Sequence, residues 1–131
     1  MAKESGIGMT FSVDDSTGTL RDISNDVTDV GFGTPQNLQD ITGLDKSAIE
    51  RLILHADGTV SCTWVFNDAT SHVFDVFKTR TGTRTVTIAI SGQTLSMEML
   101  ISDVSFTRAA DGSFTGTSTL QLQSGTVPAW S

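Results

Sequence analysis

Apolar and polar positions alternate along most of this chain in short bursts, the period-two signature of strands buried on one face. "GIGMTFSV" sets Ile7, Met9, Phe11 and Val13 on one side and small residues on the other. "DDSTGT" interrupts with turn formers, and "TLRDIS" resumes as a short strand. "VTDVGFG" reads as a weaker strand, with Gly31 and Gly33 marking a bulge or a close backbone approach. Residues 34 to 47, "TPQNLQDITGLDKS", hold no sustained period and form the longest loop candidate. "SAIERLILHA" supports two readings. Ser47 and Glu50 make a capping-box pattern ahead of a helical face of Ile49, Leu52, Ile53 and Ala56. The run into Asp57-Gly58 instead favours a loop ending in a strand over roughly residues 51 to 56.

Beyond that turn, "TVSCTWVF" predicts a strand, and "NDATSHVFDVF" a helix capped by Asn67 or Asp68 with Val73, Phe74, Val76 and Phe77 on its apolar side. "KTRTGTR" is a turn. "RTVTIAIS" and "QTLSMEMLIS" pair through Ser91-Gly92 and carry the cleanest alternation in the chain. Val86, Ile88 and Ile90 oppose Thr85, Thr87 and Ala89; Leu95, Met97, Met99 and Ile101 oppose Ser96 and Glu98. "VSFTRA" and "FTGTSTLQLQ" make a last hairpin through Asp111-Gly112, and Trp130 in the tail needs cover. The sum is eight or nine strands and one helix: a mainly β fold, a β-sandwich or barrel with a helix against one side.

Composition sharpens this picture. A length of 131 residues suits one domain with a real core. About a quarter of the chain is Ser or Thr, well above the globular norm, and Thr favours strands. The net charge of −7 disfavours a nucleic-acid binder but suits a surface that nucleic acid passes without sticking, as well as plain solubility. The first 45 residues hold eight acids (Glu4, Asp14, Asp15, Asp22, Asp26, Asp29, Asp40, Asp45) against Lys3 and Arg21. Lys78, Arg80 and Arg84 stand together without an acid among residues 78 to 84. That contrast suggests an ordinary solvated loop or, more sharply, a basic assembly patch meeting an acidic patch on the next copy.

Chemistry is not evident. Cys62 is the only cysteine and reads as a buried strand residue, so no intrachain disulfide or multi-cysteine zinc site is available. His55 and His72 lie in different elements without ligand spacing, and no calcium loop, phosphate loop or nucleophile elbow is present. No catalytic residue, metal or cofactor is expected. "MAKESGIGM" lacks an apolar run of signal-peptide length, so a cytoplasmic origin, or export by a route other than ordinary secretion, is the expectation.

The order of these features resembles the small major tail tube proteins of long-tailed bacteriophages. The resemblance runs through "TGTLRDISN", "QDITGLDKSAIERLILHADGTVSCTWVFND", "SHVFDVFK", "RTVTIAISGQTLSMEMLISDVSFTRAADGS" and the terminal "GTVPAW". It implies a two-sheet β barrel or sandwich flanked by one helix, forming hexameric rings that stack into a tube around a tape-measure protein. Each copy would lend strands to a continuous inner barrel. The family's long loop would correspond to about residues 34 to 50, with Pro35, Asn37, Asp40, Thr42, Asp45 and Lys46 reaching neighbouring subunits or rings. Implied partners are further copies of the chain, the tape-measure protein, a tail terminator and baseplate or tip proteins. DNA would pass without specific binding, and no membrane is involved. The expected place is a virion tail, assembled in the host bacterial cytoplasm. Thr85, Thr87, Ser96 and Glu98 are expected to face the water-filled lumen. A capsid decoration or head-tail joining protein, the tube of a phage-derived injection system, and a monomeric binding module or small β enzyme are the alternatives.

Overall fold

The computed structural model describes Lys3 and residues 5 to 131; Glu4, one of the counted acids, lies outside the described residues. The alternating runs become strands β1 (Thr10–Asp14), β2 (Leu20–Asp22), β3 (Val27–Gly33), β4 (Gln36–Asp40), β5 (Arg51–Ala56), β6 (Thr59–Val65), β7 (Arg84–Ile90), β8 (Gln93–Arg108) and β9 (Phe114–Leu122). One short helix, α1 (Val73–Phe77), lies between β6 and β7. Seven strands form an antiparallel sheet in the order β2-β1-β7-β8-β9-β6-β3, and β4 and β5 form a separate two-stranded hairpin. The chain is mainly β with one short helix, as the patterning predicts, and has two sheets, as the resemblance implies.

Turn chemistry sets the registers. Ser91 and Gly92 both take positive φ (52° and 80°), the two-residue loop whose twist matches flanking strands, and Ile90 pairs with Gln93. Asp15 organises the β1–β2 turn by accepting from the Thr17 hydroxyl (2.6 Å), the Thr17 and Thr19 amides and Arg21 Nε (3.0 Å). The Thr17 hydroxyl leads these contacts in holding the Asp15 carboxyl far below the usual carboxylate range.

β8 is one continuous 16-residue strand, where the alternation predicts two. A bulge between Ile101 and Asp103 divides it: the first part pairs with β7, whereas the part from Met99 onward pairs with β9. The sheet therefore has two four-stranded halves that share β8, and both feed one core. Phe11, Val13, Val86, Ile88, Leu95 and Met97 enter from one half, Val60, Cys62, Trp64 and Leu120 from the other. Trp64 Nε1 donates to Ser118 Oγ at 3.0 Å, and its ring lies over Gly116, where an added Cβ would sit 2.4 Å from a ring carbon. α1 closes this half with Val73, Val76 and Phe77, and Phe77 stacks on Trp64 at 5.8 Å.

Several expectations need correction. Ile7 is 91% exposed, because Gly8 turns the chain (φ 90°) before β1 begins at Thr10. The bulge in β3 falls between Val27 and Asp29, and the space around Gly31 is open. Asn67 and Asp68 do not cap α1; His72 does, without a side-chain bond, while Asn67 donates to Asp26 and receives the Ala69 amide. Residues 36 to 40, expected within a loop, form β4, because β5 supplies a partner strand that their own weak period does not announce. Trp130 is covered only in part: it bridges Leu95 and lies 5.9 Å from the Phe32 ring, with Ser131 exchanging backbone bonds with Thr94.

Candidate assembly surfaces

The β4–β5 hairpin is the most exposed element of the chain; of its strand residues only Ala56 is partly covered. Local polar bonds build it. The Asp57 amide donates to Pro35 O at its base (2.8 Å), and Ile41 donates to Glu50 O (3.0 Å) where the tip begins. Asp40 accepts from the Thr42 amide and hydroxyl, and Thr42 Oγ1 accepts from the Glu50 amide. The Thr42 hydroxyl chiefly lowers the Asp40 carboxyl from its ordinary value. Of the expected loop contacts, Pro35 lies at the base, Asn37 at a bulge, and Asp40 and Thr42 at the closure. Asp45 and Lys46 are at the tip, where the Lys46 amide donates to Gly43 O. What the polar pattern missed is the apolar content. Leu38, Ile41, Leu44, Ile49, Leu52, Ile53 and Leu54 are all large, apolar and exposed, a concentration that marks an interaction surface. The signal was the uninterrupted Leu52-Ile53-Leu54 run, which no half-buried strand needs.

The basic cluster does not come together. Arg84 is fully buried and donates to the carbonyls of Val76 (2.8 Å), Asp14 (3.0 Å), Thr79 and Thr81. Burial presses its pKa down, against the opposing pull of Asp15 and Asp14. Lys78 pairs with Asp75 at 2.8 Å. Arg80 is exposed, as Lys78 is, and its Nη2 donates to Val104 O at 3.2 Å.

Thr85, Thr87, Ser96 and Glu98 do share one polar face. Thr85 Oγ1 bonds Glu98 Oε1, and the Thr87 and Ser96 hydroxyls lie 3.4 Å apart on paired positions. A second face of the same character covers the other half of the sheet. There Ser61, Thr63, Thr117, Thr119, Asp103 and Ser105 alternate with core residues on β6, β9 and β8. Neither face carries a described Lys or Arg.

Reactive groups are sparse among the described residues. Burial pushes the Cys62 thiol up to about 12, which removes it from thiolate chemistry at neutral pH. His72 Nδ1 lies 3.5 Å from Asp26 Oδ2, while the other Asp26 oxygen accepts from Asn67, and no group of three metal-ligating side chains occurs among the described residues. A recess of about 410 Å³ between β5 and the C-terminal segment is lined by Leu54, His55, Asp57, Leu122 and Val127. It contains one imidazole and one carboxylate and no cluster of converging polar groups.

No family model and no curated protein matches this sequence. Solved structures do. A chain of the tail of an empty gene transfer agent particle, refined as a helix with C6 symmetry, superposes with TM-score 0.74 at 15% identity over 98% of each chain. A chain of the native gene transfer agent virion gives 0.76 at 13% identity, covering 98% of this chain and 99% of that one. A chain from the sheath/tube terminator structure of an extracellular contractile injection system, PVC, gives 0.62 at 11% identity over 100% and 98%. This chain therefore has the fold of the tail and injection-system chains that it matches along essentially their whole length.

Proposed function

We propose that this chain is a structural tube protein of a tail-like particle, which forms hexameric rings that stack into a hollow conduit for DNA. The observation that carries this reading is the match, over 98% of both chains, to a component of a helical C6 tail. Three features support it. The apolar β4–β5 hairpin stands off the core and has the form of a clasp to the next subunit or ring. The outer strand β3 is open to another chain. The net charge of −7, with two sheet faces free of Lys and Arg, suits a bore along which DNA slides without adhering. Pro35, Asn37, Asp40, Thr42, Asp45 and Lys46 position the clasp, while its aliphatic residues supply the contact. The partners in this reading are further copies of the chain, a tape-measure protein, a tail terminator and baseplate or tip proteins. It acts in a phage tail after assembly in the host bacterial cytoplasm, and its role involves no catalytic step.

The terminator structure from the contractile injection system favours a second reading, a tube or tube-end component of such a machine. Negative-stain microscopy of the purified chain at high concentration separates these outcomes. Hollow tubes of indefinite length, or sixfold rings that stack, are expected for a tube protein. Single rings that never stack favour a tube-end component. Monomers or trimers that bind only capsids would replace the tube reading with a capsid decoration role.

A further inference from the structure

We propose that the Asp57-Gly58 link is a self-modification site, at which the Gly58 nitrogen attacks the Asp57 side chain and converts that residue to isoaspartate. The new bond joins the Gly58 nitrogen to Asp57 Cγ. The carboxyl OH and the amide hydrogen leave together as water, which closes a five-membered succinimide. Water then adds back to one of its two carbonyls. Opening at the former main-chain carbonyl leaves the chain running through the Asp57 side chain, so the net change is an isomerisation that consumes nothing.

Geometry singles out this link. The Gly58 amide donates to Asp57 Oδ1 at 2.7 Å. Asp15, Asp22, Asp40 and Asp111 instead receive the amide two residues on, which turns each carboxyl away from the nitrogen that follows it. An oxygen 2.7 Å from the nitrogen puts the carbon that bears it near the roughly 3 to 3.5 Å at which reacting atoms must lie. Gly58 has no side chain to crowd the ring. Asp57 is exposed and borders the recess of about 410 Å³ between β5 and the C-terminal segment, so water reaches the ring.

Asp111-Gly112, the same dipeptide in the last hairpin, supplies the contrast. There the Gly112 amide donates away, to Ala109 O at 3.0 Å, and Asp111 Oδ1 accepts from the Ser113 amide at 3.0 Å. The Ser113 amide and hydroxyl also hold the Asp111 carboxyl below its ordinary value, and a carboxylate resists attack by nitrogen.

Isomerisation lengthens the main chain by one methylene at the base of the β4–β5 hairpin. The Asp57 amide donates to Pro35 O (2.8 Å), and Gly58 O accepts from the Leu122 amide (2.9 Å). On the sheet side there is no slack, since an added Cβ at Gly58 would meet Met97 Sδ at 3.0 Å. The extra length is therefore taken up on the exposed hairpin side, at the expense of the bond to Pro35. The isomerised chain keeps its core and loses the bond that fixes where the hairpin leaves the sheet. On the tube reading, such a copy is a poor clasp.

Peptide mapping of the folded chain, aged in warm and mildly acidic buffer, tests the site. Isoaspartyl peptides keep their mass, separate by chromatography and accept enzymatic carboxyl methylation. Isoaspartate is expected to accumulate about fivefold faster at Asp57 than at Asp111, as a preorganised contact confers. In concentrated urea, where both Asp-Gly links are free, the two rates are expected to converge. Equal or slower formation at Asp57 in the folded chain, or the same bias in urea, overturns the proposal. Asp57→Glu cannot close a five-membered ring and is expected to lose the signal; its persistence in that variant also overturns the proposal. None of these readouts needs a tube, so they stand or fall apart from the tube reading. Sedimentation of aged, assembling material reads the consequence: the isoaspartate share is expected to be lower in pelleted tubes than in the supernatant. An equal share overturns the effect on the clasp.

Discussion

Arg84 is the residue on which the helix, the turn after it and the first strand converge. Its guanidinium collects carbonyls from the last turn of α1 (Val76), from Thr79 and Thr81 beyond it and from the end of β1 (Asp14), of which the Val76 bond is buried. A buried cation satisfied this way is costly to remove, since its acceptors remain. Arg84→Met is expected to lower stability by about 3 kcal/mol in urea unfolding, and Arg84→Glu to prevent folding altogether. Unchanged unfolding of either variant contradicts the buried role. The position was legible in the alternation itself, because Arg84 is in phase with Val86 and Ile88. Reading charge alone placed it on the surface beside Arg80. Gly116 was less legible: nothing in "FTGTSTL" announces that the Trp64 ring lies across it.

At the scale of elements, the β4–β5 hairpin makes almost no contribution to the core and carries much of the exposed aliphatic surface. Stability and assembly therefore separate there. Leu52→Ser with Ile53→Ser is expected to leave the melting temperature within about 2 °C of the parent, as surface substitutions do, while abolishing tubes in the microscope. A large drop in melting temperature would place these residues in the fold rather than in the clasp. β5 was correctly expected over residues 51 to 56, because the Asp57-Gly58 turn fixed where it must end. β4 was not: Gln36 to Asp40 carries one aliphatic residue, and its strand geometry comes from a partner across the hairpin. α1 came out shorter than its pattern, since the segment from Asn67 to Ser71 is drawn into bonds with Asp26 and Asp75.

For the whole molecule, a charge of −7 on every copy opposes packing them side by side, and apolar contacts and strand addition must overcome it. Raising ionic strength from about 0.05 to about 0.5 M shrinks the Debye length to a few ångströms, so light scattering should show assembly at lower protein concentration. Weaker assembly at high salt would instead point to ion pairs across the contact. The sequence alone determined the mainly β class, the turns at Ser91-Gly92 and Asp111-Gly112, the alternating core positions and the absence of a recognisable catalytic motif. These are local properties, set by backbone sterics and by the period of side chains along a strand. Only the tertiary structure decided which edges stay open, that the C-terminal segment closes one of them, and that Arg84 turns inward. Each of these depends on residues far apart in the chain meeting across the fold, and no local pattern encodes such a meeting.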